Sequence, residues 1–419
     1  MRIGAYQFCV TGNAGENFAR MKAGIEEASE AGLRLLVFPE CAVTGYPPCT
    51  ISSAAGVDCE EVIRIHKQLQ ALAEKNRMYL VAGTIVRESS LCYNTAMLFR
   101  PDGRRETYAK RALWGWDREN FSRGQEPGVV EIDSLKVGIR ICYEVRFPEY
   151  FRELYRSRTD LNLILFYDVS DEDDPDRYGL IKGHIRTRAV ENVCPVLTCN
   201  TCSPFQAAPT GLYDRSGKVL AEAERGKEEL LVFDLDPEPL SFGEQGRKAI
   251  SDSLAAASAH IRPVSEEDAG FLNALMNCPS VLQALNEVPT ELRDWTCAIG
   301  EWICDEDEED YIILDGSTPI GWLGVNGLLN ENHSAYLKIA AVRPEYQGCG
   351  FGTSALHQLL HILKHRGIEK VILYTDRDNR IAQECYRKCG FRIVESLTET
   401  MSNGKNVPRY RMESCLCVK

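Results

Sequence analysis

Arg140-Ile141-Cys142-Tyr143-Glu144-Val145-Arg146-Phe147-Pro148-Glu149 ends an apolar run, residues 137–141, with a cysteine set directly into a charged turn. Bounded by Gly138 and Pro148, such a run reads as a buried strand, and open α/β sheets place their chemistry at strand ends. Two readings stand here: Cys142 is a presented nucleophile, or it is a buried apolar thiol, the commonest fate of free cysteine. The decapeptide alone does not separate them.

Outward from Cys142, strands and helices interleave on both sides. Toward the N-terminus, residues 3–8 read as a strand, and Phe18, Met21, Ile25 and Ala28 mark an amphipathic helix ending near Gly32. Residues 35–38 form the next strand, closing on Pro39-Glu40-Cys41. Val62, Ile65, Leu69 and Leu72 mark a second helix, followed by a strand over 79–86 and a hairpin turning at Pro101-Asp102-Gly103. Toward the C-terminus come a helix over 150–156, a strand over 161–166, a helix ending in Arg188-Ala189-Val190-Glu191-Asn192, a strand over 196–199, a hairpin around Arg215-Ser216-Gly217 and a strand over 230–235. The pattern predicts an α/β layered domain that stops at Pro237.

At 419 residues the chain is too long for one ordinary core. Hydrophobic residues at 44% and charged residues at 26% are those of a globular protein. No apolar run is long enough to cross a bilayer, and Met1-Arg2-Ile3-Gly4-Ala5-Tyr6-Gln7 reads as a strand, not a signal peptide, so a cytoplasmic protein without a membrane partner is expected. The 17 cysteines are scattered and odd in number, which fits reduced thiols. Cys199-Asn200-Thr201-Cys202 has the spacing of half a zinc site but lacks a matching second half, so no metal is expected. A net charge of −13 argues against nucleic acid as a partner.

Three further positions bear on Cys142. Glu40 follows the apolar strand Leu35-Leu36-Val37-Phe38, Lys110 ends the strand of Tyr108-Ala109-Lys110, and Glu119 opens Glu119-Asn120-Phe121-Ser122-Arg123-Gly124. The set Phe-Pro-Glu, Tyr-x-Lys-x-x-Leu, Glu-x-Phe-x-x-Gly, Cys-Tyr-Glu-x-Arg-Phe-Pro-Glu and Arg-Ala-x-Glu-Asn, in this order over residues 1–236, resembles the nitrilase (carbon-nitrogen hydrolase) superfamily. The resemblance implies a nitrilase-type αββα sandwich and a Glu-Lys-Cys triad. It makes Cys142 the nucleophile, Glu40 the general base, Lys110 the stabiliser of the tetrahedral intermediate and Glu119 a second carboxylate orienting Lys110. The backbone N–H of Tyr143 would complete an oxyanion site.

Cys142-Tyr143-Glu144-Val145-Arg146-Phe147 is most similar to ω-amidase-like members, which implies a small-molecule amide substrate, with a nitrile or an N-carbamoyl compound as the alternatives. Two departures leave the substrate open: Phe166-Tyr167-Asp168-Val169-Ser170 stands where such members have a Pro-Ala-Ala-Phe-like strand end, and Ile181 takes the place of a frequent tryptophan. The resemblance also implies a homo-oligomer, a dimer or larger, through this domain.

Residues 241–259 read as a linker, partly helical, between a first domain over 1–240 and a second over 260–419. In the second, Ser265 caps a helix, and strands over 311–314, 320–328 and 335–342 predict an α+β domain with a mixed sheet. Arg343-Pro344-Glu345-Tyr346-Gln347-Gly348-Cys349-Gly350-Phe351-Gly352 stands between a strand and a helix, where glycines let backbone N–H groups face an anion. Gln347, Gly350 and Gly352 resemble motif A of the GNAT N-acetyltransferases, and Tyr386 before Lys388-Cys389-Gly390-Phe391 resembles that family's Tyr-x-x-x-Gly-Phe. The resemblance implies acetyl-CoA as co-substrate, held by Val342, Gln347, Gly348, Cys349, Gly350, Phe351, Gly352, Thr353 and Asn379, with Tyr386 protonating the leaving thiolate and an amine as acceptor. The whole chain thus reads as a bifunctional amidase and N-acetyltransferase, or as an amidase regulated by a domain that senses acetyl-CoA.

Overall fold

Apolar runs too long for one-sided burial become strands covered on both faces. The computed structural model describes residues 1–235, 239–256 and 258–416, and it divides into units Met1–Lys248 and Ala249–Lys419. The sequence boundary at Pro237 lies outside the described residues.

The first unit contains, in order, β1 (Arg2–Gln7), α1 (Ala14–Glu30), β2 (Leu35–Val37), α2 (Cys59–Asn76), β3 (Tyr79–Glu88), β4 (Leu91–Phe99), β5 (Arg105–Ala109), α3 (Trp116–Asn120), β6 (Val129–Ile132), β7 (Leu135–Ile141), α4 (Pro148–Arg156), β8 (Leu161–Leu165), α5 (Pro175–Asn192), β9 (Val196–Cys199), β10 (Gly211–Tyr213), β11 (Val219–Glu222) and β12 (Glu229–Asp234). They build two six-stranded sheets, ordered β12-β1-β2-β3-β4-β5 and β11-β10-β9-β8-β7-β6. At the centre of each sheet the strands are parallel, β1 with β2 and β3, and β7 with β8 and β9.

Side chains that alternate along each strand sort into separate layers. Leu35 and Val37 join Ile3, Leu98, Ile139, Ile141 and Leu163 in a core between the two sheets, whereas Leu36 faces the other way onto Met21, Ile25 and Leu69 of α1 and α2. On the second sheet Ile164 and Val196 pack outward against Phe151, Ile181 and Ile185 of α4 and α5. Helix, sheet, sheet and helix are thus stacked, the expected αββα sandwich. Because both faces are covered, the central strands are continuously hydrophobic. Side-chain caps fix where the first two helices begin: Asn13 accepts from the Glu16 N–H, and Asp58 from those of Glu60 and Glu61.

The chain continues through α6 (Phe242–Ala256), β13 (Ala259–Pro263), α7 (Ala269–Met276), α8 (Pro279–Leu285), α9 (Leu292–Cys304), β14 (Glu308–Asp315), β15 (Thr318–Asn326), β16 (Ser334–Val342), α10 (Phe351–His365), β17 (Lys370–Asp376), α11 (Arg380–Lys388), β18 (Arg392–Thr400) and β19 (Asn406–Cys415). The stretch expected as a partly helical linker is therefore mostly one helix, α6, and the division between units falls inside it. In the second unit a seven-stranded mixed sheet runs β13-β14-β15-β16-β17-β19-β18. One face packs on α10 and α11 through Leu356, Leu359, Leu363 and Tyr386, and the other on α7, α8 and α9 through Leu272, Val281, Trp295 and Ile299. β16 and β17 are parallel, paired from Ser334 to Tyr336, and then diverge as β16 runs on to Val342 and β17 to Asp376.

Candidate active sites

Cys142 stands at the first position after β7, with φ at +48°. A side chain in this left-handed region costs about 1–3 kcal/mol, so surrounding contacts must hold it there. Glu144, fully buried, supplies them: its carboxylate accepts from the N–H groups of Ile141 and Arg111 and from the Tyr108 hydroxyl, each at 2.7 Å. One side chain therefore ties the turn that carries Cys142 to the segment just beyond Lys110. The turn is a short 3-10 helix, and the first N–H groups of such a turn, Tyr143's among them, have no carbonyl inside it to bind.

Glu40 leaves β2 through Phe38 and Pro39, directly above β3. The crossing is so close that a Cβ on Gly83 would lie 2.3 Å from both the Cys41 nitrogen and the Pro39 oxygen. Glu40 is fully buried; its Oε1 accepts from Lys110 Nζ at 2.8 Å and Asn94 Nδ2 at 2.6 Å, and its Oε2 from the Tyr167 N–H at 2.8 Å. On its other side Lys110 Nζ lies 2.8 Å from Asp117 Oδ2, whose Oδ1 accepts from the Tyr46 hydroxyl at 2.9 Å. Tyr46 in turn stacks on Tyr167 with ring centroids 5.0 Å apart.

Electrostatics follow from this enclosure. Burial pushes the Glu40 carboxyl above its ordinary value; Lys110 opposes that shift and Asp117 adds to it. Burial also works against the Lys110 ammonium, but the charges of Glu40, Cys142 and Asp117 outweigh it and hold the group well above its ordinary value. Burial, then Glu40, push the Cys142 thiol well up, against the pull of Lys110. A raised pKa makes the Glu40 carboxylate a better acceptor for a proton from the thiol.

Glu119 does not take part in this cluster. It is exposed on α3, and the carboxylate on Lys110 is Asp117, which is 4% exposed. A helix turns about 100° per residue, so positions two apart face opposite ways while Asp117 and Phe121, four apart, share the buried face. Reading the motif as Asp-x-x-x-Phe would have found it. Asn94 and Tyr46 have no local spacing that marks them, and Glu144 stands inside the Cys-Tyr-Glu-x-Arg-Phe motif without a role that the motif assigns to it.

Asp168 comes next to this group. It follows β8, is 7% exposed, and pairs with Arg177 from the first turn of α5. Cys199 and Cys202 are buried, and the Cys199 thiol donates to the Tyr6 carbonyl at 3.3 Å. Among the described residues no group of three or more His, Cys, Asp and Glu side chains could hold a metal ion, and no helix is long and apolar enough to cross a membrane.

In the second unit, Val342 ends β16 where β16 and β17 have separated, and Gln347 Nε2 donates to its carbonyl at 2.8 Å. Gly348 and Gly350 adopt φ of +71° and +84°, which glycine takes without strain, and α10 begins at Phe351. Cys349 and Phe351 are fully buried, so at the N-terminus of α10 this segment presents backbone and not these side chains. A Cβ on Gly348 would meet nothing within 4 Å, whereas one on Gly350 would lie 2.8 Å from Ala256 Cβ, so the loop is open at Gly348 and covered at Gly350. These features fit the pyrophosphate of an acyl-CoA. Thr353 Oγ1 donates to Cys385 Sγ at 3.3 Å, and Asn379 caps α11 by accepting from the Ala382 N–H at 3.1 Å. Tyr386 is 9% exposed, burial raises its phenol above the ordinary value, and no described residue hydrogen-bonds its hydroxyl.

Residues 2–241 match the model of the carbon-nitrogen hydrolase family, and residues 273–391 that of the acetyltransferase (GNAT) family. A 2-oxoglutaramate amidase of Bacillus subtilis is 32% identical over 55% of this chain and 88% of its own length. An omega-amidase of Danio rerio is 28% identical over 56% of this chain and 88% of its own. Among solved structures, an amidase from Nesterenkonia sp. AN1, bearing the acetamide moiety of fluoroacetamide on its active-site cysteine, superposes with a TM-score of 0.51 at 26% identity, over 56% of this chain and 90% of that one.

Proposed function

Since the chain belongs to the carbon-nitrogen hydrolase family and joins a GNAT acetyltransferase domain to it, we propose that it is a bifunctional enzyme. One site would hydrolyse a small-molecule amide through a Cys142 thioester, and the other would transfer acetyl from acetyl-CoA to an amine. The observation that carries the first half is the Lys110 ammonium held between Glu40 and Asp117 beside Cys142.

In this reading Glu40 takes the thiol proton as Sγ attacks the amide carbon. Charge develops on the carbonyl oxygen, where Lys110 Nζ and the Tyr143 N–H stabilise it. The C–N bond breaks as Glu40 returns its proton to the departing nitrogen, leaving a thioester. Water then attacks the thioester, again losing a proton to Glu40; the C–S bond breaks, the acid leaves, and Cys142 regains its proton. Intact-mass detection of an acyl adduct during amide turnover, absent from Cys142→Ala, tests the pathway, and turnover that survives the substitution would refute it.

In the second site, the N–H groups of residues 348–353 would bind the pyrophosphate. The CoA thioester supplies an activated acetyl group. Tyr386 would donate a proton to the departing sulfur. Free-thiol release from acetyl-CoA in the presence of amines measures this activity, and loss of at least about tenfold in Tyr386→Phe is expected. The deep burial of Tyr386 favours a second reading, a domain that senses acetyl-CoA without transfer chemistry. In that case acetyl-CoA binds and alters amide turnover, and no thiol is released.

A further inference from the structure

We propose that Asp168 makes the Cys142 site selective for amides whose acyl chain carries a protonated amine. The inference rests on the amidase reading and names the substrate class of that site.

The chain passes from β8 across the triad before it reaches Asp168. Phe166 accepts from the Glu40 N–H at 3.2 Å, and Tyr167 donates to Glu40 Oε2 at 2.8 Å, so the following residue is delivered beside the reacting groups. Its backbone is fixed from two directions: its N–H donates to Asn200 Oδ1 at 3.0 Å, and its carbonyl accepts from Asn200 Nδ2 and from the Ala207 N–H, each at 2.9 Å. The Arg177 contact to Oδ1 then holds the side chain on this fixed backbone. Where the resemblance to ω-amidase-like members implies a Pro-Ala-Ala-Phe-like strand end, this chain thus presents a carboxylate on a fixed backbone.

That carboxylate is incompletely satisfied. Arg177 binds Oδ1, and no described residue donates to Oδ2, although the residue is 7% exposed. Oδ2 is not a buried unpaired atom: it stays open to solvent, and so to a donor carried by a ligand. Burial raises its pKa against the opposing charges of Arg177, Arg146 and Lys110. Its charge is felt in turn by the Cys142 thiol. An ammonium on the acyl chain would supply donors and a positive charge together. The competing feature is Arg146, whose guanidinium lies 5.5 Å from the Tyr143 ring centroid, faces no carboxylate within ion-pair distance among the described residues, and would favour an anionic chain.

Butyramide, succinamate and 4-aminobutanamide place a methyl, a carboxylate and an ammonium at the end of similar chains and separate these outcomes. For the full-length protein, kcat/KM is expected to favour 4-aminobutanamide over butyramide by about tenfold or more, and Asp168→Asn to bring that ratio close to unity. Calorimetric binding of 4-aminobutanamide to Cys142→Ala provides a readout independent of turnover. It is expected to weaken at least about tenfold when Asp168→Asn is added, with thermal melts showing both proteins folded. Preference for succinamate, or a binding constant and a selectivity ratio insensitive to Asp168, overturns the proposal. Binding that depends on Asp168 without turnover of any of the three amides would instead count against the amidase reading.

Discussion

Lys110 is held by two carboxylates, and removing either changes what its ammonium can do. Glu40 is needed as the proton acceptor, so Asp117 is the cleaner probe of positioning: Asp117→Asn keeps the Tyr46 hydrogen bond within reach and removes one charge. Amide turnover is expected to fall by about tenfold to a hundredfold, mainly in kcat, because the oxyanion donor loses its fixed placement. Glu119→Gln, on the exposed face of α3, is expected to stay within about threefold. Steady-state kinetics of the two variants decide which acidic residue serves the site, and the reverse order would restore Glu119. The triad itself was legible because Glu40 and Cys142 each follow an apolar strand and, with Lys110 at the end of a hairpin strand, stand in a set of motifs that resembles one family's. Asp117 was not, because a five-residue helix shows no amphipathic period from which its buried face could be read.

Elements place these side chains through backbone crossings that leave no room for a methyl group. Gly83 lies in the middle of β3, where the Glu40 turn passes over it, and its N–H donates to the Pro39 carbonyl at 3.1 Å while its own carbonyl accepts from the Val43 N–H at 3.0 Å. Gly83→Ala would drive a Cβ into that turn. An overpacking cost of about 1–3 kcal/mol is expected, together with loss of amide turnover exceeding what stability alone explains, since Glu40 must move. Urea denaturation and kinetics on the same variant measure both effects; unchanged activity would show that the turn can shift freely. The strands around this crossing were readable from their continuous hydrophobicity. The need for glycine was not, because it arises from contact between segments 42 to 44 residues apart in the chain, and a lone glycine inside a strand pattern signals only that something approaches closely. In the second unit, the glycines at 348 and 350 were legible because they interrupt a strand-to-helix junction, whereas α6 was legible only as a partly helical linker, because its Ser- and Gly-containing composition resembles a flexible segment.

The whole molecule contains two units, each with its own cores, and that separation should appear in how it unfolds. Acid acts on the first unit through His66, buried on α2 with its Nε2 2.9 Å from Thr84 Oγ1. Burial, and then Arg105, lower its pKa from 6.5 to about 4. The folded unit therefore keeps the ring neutral while the unfolded chain takes up a proton, so the associated stability is fully present above pH 6.5 and is lost as pH falls toward 4. The loss approaches about 3 kcal/mol, and His66→Gln should lessen the acid sensitivity of that transition. Acetyl-CoA should act on the other unit. A ligand that binds only the folded form at about a hundred times its Kd adds about 2.7 kcal/mol, which raises the transition carrying residues 249–416 and leaves the first in place. Hydrogen exchange read along the chain during thermal or urea unfolding assigns each transition to its segment. Acid-sensitive opening confined to 1–248, with protection by acetyl-CoA confined to 249–416, is the expected result. Protection spreading equally through both units would mean that they unfold as one cooperative body, and the two activities would then have to be treated as thermodynamically coupled.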